Sequence, residues 1–129
     1  ILYMGCGTGV LGIMAKKCGA VSVVAVDIDD KSVANTKENA IANAVELDVR
    51  LDSIPPEGHY DLIMANIHRN ILLAQMPAYA AYLKANGELW LSGFYEEDVP
   101  VLSQVAHECG LCVVETRNTN EWHWIRLNR

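Results

Sequence analysis

The sequence has 129 residues, 51% of them hydrophobic, enough for one globular domain with a buried core. A formal net charge of −6 argues against direct binding to a nucleic-acid backbone and favours a basic protein or a neutral small molecule as partner. No apolar run reaches the roughly 20 residues of a membrane span, and no signal-peptide pattern occurs.

Residues 1–4 (ILYM) read as the end of a buried strand, so further chain upstream is expected. Residues 10–18 follow as a helix that Gly19 stops. Residues 21–26 (VSVVAV) are nearly continuous in apolar side chains, as a parallel strand buried on both faces requires. Asp29 or Asp30 caps a helix reaching about Asn43, with Val33, Ala40 and Ile41 turned inward. Leu47, Val49 and Leu51 alternate as a third strand, and YDLIMAN is a fourth, buried strand ending at Asn66. Pro77 is expected to kink or restart the helical stretch over 70–83. ANG then turns the chain into a strand over 88–92. Val99, Leu102, Val105, Ala106 and Cys109 form a helical stripe. NTN joins two last strands, over about 111–117 and 121–127, as a hairpin. The alternation predicts an α/β, doubly wound, Rossmann-like sheet of seven mostly parallel strands, closed by a C-terminal antiparallel hairpin.

MGCGTGVLG (residues 4–12) satisfies two glycine rules at once. From Gly7 it is G-x-G-x-x-G, the pattern of dinucleotide sites; from Gly5 it is the tighter G-x-G-x-G of sites for S-adenosylmethionine. Either way the glycines let the backbone turn sharply after the first strand and approach a ligand with no Cβ between. Asp27, twenty residues after Gly7 at a strand's carboxyl end, can accept both hydroxyls of a ribose in either case. The remaining chain separates the two. A dinucleotide needs a second mononucleotide-binding half, whereas only 63 residues follow Asn66 and they end in an antiparallel hairpin.

That ending resembles the seven-stranded sheet of class I methyltransferases, with LKANGELWLSG resembling their helix, turn and fifth strand. GCGTGVLGIMAKKCGA, VDIDDKSVANTKENA, YDLIMANI, LSGFYEED and EWHWIRL together resemble the ribosomal protein L11 methyltransferase family through nearly the whole chain. ANI at the fourth strand end discriminates best, since amide and adenine N-methyltransferases carry N-P-P or D-P-P there. The resemblance implies that residues 1–129 are an S-adenosylmethionine-dependent catalytic domain, separated from an N-terminal region that recognises ribosomal protein L11. It also implies a cytoplasmic enzyme that methylates lysine side chains and the N-terminal amine of that protein.

The cofactor residues it implies are Gly5, Cys6, Gly7, Thr8 and Gly9 of the loop, Asp27 with Ile28, Asp52 with Ser53 near the adenine, and Asn66. Tyr3 departs from the pattern, because class I enzymes usually place there an acid that meets the cofactor's amino group. The alternatives are another amine N-methyltransferase of the same fold, or a cofactor-binding module without activity.

The chemistry asks for alignment more than for a metal. A sulfonium is a strong electrophile with a neutral leaving group, so the protein must strip proton and water from the amine and aim its lone pair. Asn66 is the candidate catalytic residue, its amide oxygen accepting an N–H of the amine; its competing role is to cap the next helix. His68 can relay a proton or be a solvated surface residue. Trp122 and Trp124 either line a substrate pocket or pack on the sheet. EED (residues 96–98) reads as a solvated helix start that can also attract a basic substrate. The four cysteines, Cys6, Cys18, Cys109 and Cys112, read as reduced cytosolic thiols. CGLC with His107 and His123 is either a redox or zinc pair, or a helix end at Gly110 followed by a strand. Without chain upstream to cover the strands buried on both faces, these residues alone are expected to self-associate or be unstable.

Overall fold

The computed structural model describes residues 1–119 and 122–129. They form seven strands in the order β3-β2-β1-β4-β5-β7-β6, interleaved with four α-helices. The chain packs as two compact units, Ile1–Pro55 and Pro56–Arg129.

In the first unit the order is β1 (Leu2–Met4), α1 (Val10–Lys17), β2 (Val24–Asp27), α2 (Asp30–Ala42) and β3 (Asp48–Leu51). β2 pairs in parallel with both β1 and β3, which places Asp27 at the carboxyl end of the central strand of the three. Leu2, Ala25 and Val26 are fully buried. The strand expected from residue 21 starts later: Val21 is 92% exposed and only from Val23 is the chain covered. Asp29 caps α2 as expected, accepting the Lys31 N–H. Its inward face is Val33, Thr36 and Ala40, spaced by three and four residues; Ile41, about 100° further round, is exposed rather than turned inward. β3 is thin cover, with Leu47 and Val49 half-buried and Leu51 exposed.

The second unit holds β4 (Tyr60–Asn66), α3 (Arg69–Tyr82), β5 (Leu83–Ser92), a 3-10 turn (Glu96–Asp98), α4 (Val99–Glu108), β6 (Cys112–Thr119) and β7 (Trp122–Asn128). α3 runs through Pro77 without restarting. The ANG turn sits inside the span of β5, where Tyr60 pairs with Leu83 and Leu62 with Glu88, so residues 84–87 bulge out of register. β4 and β5 are parallel; β7 is antiparallel to β5 and to β6. The expected NTN turn runs into residues 120–121, outside the described residues. Leu72, Met76, Tyr79, Leu89, Leu91, Leu102, Ile125 and Leu127 form the buried centre. Gly110 does end α4, with Cys109 half-buried at its cap and Cys112 exposed in β6. No helix among the described residues is long and apolar enough to cross a membrane.

Candidate functional site

Within Ile1–Pro55 the glycine loop, Asp27 and Asp52 converge on one hub. The Gly5 and Cys6 N–H groups both bond the Val26 carbonyl, at 2.8 and 3.2 Å, which bends the loop over the end of β2. Gly7 then donates its N–H to Asp27 Oδ2 at 3.1 Å, and Asp29 donates to Oδ1 at 3.0 Å. The Asp27 carbonyl takes the Asp52 N–H at 3.0 Å. Each carboxylate oxygen of Asp27 therefore accepts one backbone N–H and keeps further acceptor capacity for a ligand hydroxyl. Gly5, Gly7 and Gly9 all have positive φ, and a Cβ built on Gly7 meets nothing within 4 Å, so open space lies against the loop. Thr8 and Ile28 are exposed, Ile28 by 67%. Asp52 Oδ1 accepts the N–H groups of Ser53 and Ile54, a local turn that fixes this exposed carboxylate.

Two residues that hold the loop were not singled out from the sequence. Thr36 of α2, fully buried, donates its hydroxyl to the Gly7 carbonyl at 3.0 Å, leaving the Cys6 thiol to donate to Thr36 Oγ1 at 3.3 Å. Asn39, one helical turn on, donates to the Thr8 carbonyl at 2.8 Å. The signal lay in two short polar side chains three residues apart on the inward side of an otherwise apolar helix face. Thr36 also explains Gly9. A Cβ there would stand 2.7 Å from the Thr36 methyl, and φ is +83°. Gly9→Ala is expected to cost about 1–3 kcal/mol of unfolding free energy through overpacking and backbone strain. An unchanged denaturation midpoint would contradict it.

Tyr3 is buried under this loop at 4% exposure. Burial first, then Cys6 and the Asp27 carboxylate beside it, push its hydroxyl up to about 12. Burial likewise pushes the Cys6 thiol up, only partly offset by its bond to Thr36. A phenol held protonated by the fold contributes stability that is whole below its unfolded value near 10 and lost as pH rises from there through about 12. Unfolding free energy is thus expected to fall over pH 10–12, and less steeply in Tyr3→Phe; parallel profiles would contradict this.

Within Pro56–Arg129, Asn66 ends β4 with its side chain exposed, paired in register with Ser92. His68 takes the N-cap position of α3 without a side-chain capping bond, and it is exposed. EED divides: Glu96 and Glu97 are exposed, but Asp98 is 4% exposed. Asp98 is held by Arg69 at 3.1 Å and by the Tyr95 N–H at 2.9 Å, so it is not part of a solvated face. Trp124 packs edge-on against Trp90 at 5.7 Å and under the Arg117 guanidinium at 5.9 Å, on the sheet surface. The Trp122 side chain lies outside the described residues.

Known proteins align with this chain end to end. The model of the ribosomal protein L11 methyltransferase (PrmA) family matches residues 1–129. A ribosomal protein L11 methyltransferase of Porphyromonas gingivalis is 49% identical over 98% of this chain and 45% of its own length. One of Phocaeicola vulgatus is 43% identical over 98% and 47%. The chain therefore spans under half the length of these curated relatives. The crystal structure of the ribosomal protein L11 methylase of Lactobacillus delbrueckii subsp. bulgaricus superposes with a TM-score of 0.94 at 31% identity, covering 99% of this chain and 68% of that one. The chain belongs to the ribosomal protein L11 methyltransferase (PrmA) family.

Proposed function

We propose that residues 1–129 are the catalytic domain of a cytoplasmic S-adenosylmethionine-dependent methyltransferase acting on amines of ribosomal protein L11, lysine side chains and the N-terminal amine. The observation that carries the reading is the Asp27 hub, which presents a positioned carboxylate beside open space over Gly7. When bound, the cofactor supplies a methyl group on a sulfonium. The residues of this chain do the rest. The backbone of Gly5, Cys6, Gly7, Thr8 and Gly9 approaches the cofactor closely, Asp27 accepts its ribose hydroxyls, and Ile28 offers it apolar contact. Asp52 and Ser53 meet the adenine edge.

Asn66 accepts an N–H of the substrate amine and holds its lone pair in line. The amine must first shed its proton, and an apolar surround lowers the ammonium pKa from about 10.4. Tyr3 adds no charge toward the cofactor's amino group, and this departure favours a second reading, a cofactor-binding module without activity. Transfer of tritiated methyl from the cofactor to ribosomal protein L11 by the full-length protein separates the two. Label on L11 supports the enzyme; cofactor binding without label supports the module.

A further inference from the structure

On the amine-methylation reading above, we propose that Arg69, Asp98 and Gly93 are positioning residues that preset the Asn66 amide for the substrate. An exposed asparagine at a strand end ordinarily samples several side-chain rotamers, which is a poor way to aim a hydrogen-bond acceptor. Here the two segments flanking it are fixed. After β4, Ile67 donates its N–H to the Ser92 carbonyl at 3.2 Å. After β5, Gly93 turns at φ +85° so close to Asn66 that a Cβ there would stand 2.7 Å from Asn66 Oδ1 and 2.9 Å from the Ile67 nitrogen. The side-chain oxygen thus rests against the bare Cα of Gly93.

The chain then returns. Asp98 accepts the Tyr95 N–H with one oxygen and Arg69 Nη1, three residues beyond Asn66, with the other. Its carboxylate is nearly out of water, so losing Arg69 would leave a buried charge unpaired and the bond stays made. One ion pair therefore joins the segment after β5 to the start of α3, three residues beyond Asn66, while Gly93 backs the Asn66 side chain. Such a pair adds little to stability by itself. What it adds here is a fixed path for the segments that flank the exposed Asn66 amide.

Kinetics of methyl transfer to ribosomal protein L11 by the full-length protein test the proposal, using Arg69→Met, Asn66→Ala and the double variant. Arg69→Met should lower kcat about tenfold with the cofactor KM within about twofold, and Arg69→Lys should restore most of it. In the Asn66→Ala background, Arg69→Met should cost no more than about twofold, since residues acting as one unit do not add. Gly93→Ala, whose Cβ would meet the Asn66 amide oxygen at 2.7 Å and the Ile67 nitrogen at 2.9 Å, should show the same kcat loss and the same lack of additivity with Asn66→Ala. Losses that multiply in the double variants overturn the proposal and leave the methyl-transfer reading standing. An inactive parent protein overturns that reading, and the proposal with it.

Discussion

Asp27→Ala is expected to weaken S-adenosylmethionine binding by about 1.5–3 kcal/mol, roughly 10- to 150-fold in Kd. Two losses combine. The ribose hydroxyls lose a charged acceptor, and the Gly7 and Asp29 N–H groups lose the carboxylate that orders the loop around them. Asp27→Asn separates the two contributions. The amide keeps the size but turns one oxygen into a donor facing a backbone N–H, so it should lose affinity despite its shape. Titration calorimetry reads both variants. A Kd unchanged in Asp27→Ala would place the ribose elsewhere.

Asn66→Ala is expected to lower turnover about 100-fold while leaving cofactor affinity within about twofold. Its amide oxygen is assigned to the transferring nitrogen, so its loss should fall on turnover more than on cofactor binding. A loss seen in kcat and in kcat/KM alike, with Kd for the cofactor preserved, marks an interaction made in the transition state. Equal losses in cofactor binding and turnover would give Asn66 a ground-state role instead.

Most of the fold was legible in the residues because parallel strands announce themselves. YDLIMAN was bounded correctly from its apolar run, and Asp29 and Gly110 marked their helix ends. Errors came where one residue of rotation or one bulge decides the outcome. Ile41 follows the inward Ala40 by a single step and faces out, and ANG hides in a register shift of β5. The candidate site was legible where the chain itself is unusual: glycines at positive φ, an acid at a strand end, an asparagine at another. It was not legible where distant side chains support those residues. Thr36 and Asn39 meet the loop across about thirty positions, and Asp98 differs from the neighbouring Glu96 and Glu97 through its bond to the distant Arg69. Spacing within a segment carries no trace of such long-range partners.

Calorimetric titration of the protein with S-adenosylmethionine and, separately, with NAD decides which ligand the glycine loop holds. Both ligands suit a glycine loop followed by a ribose-binding acid, so the loop pattern alone does not predict the outcome. Saturable heat at one site is expected for S-adenosylmethionine, weakened in Asp27→Ala, and none for NAD. Heat with NAD and none with S-adenosylmethionine would contradict it.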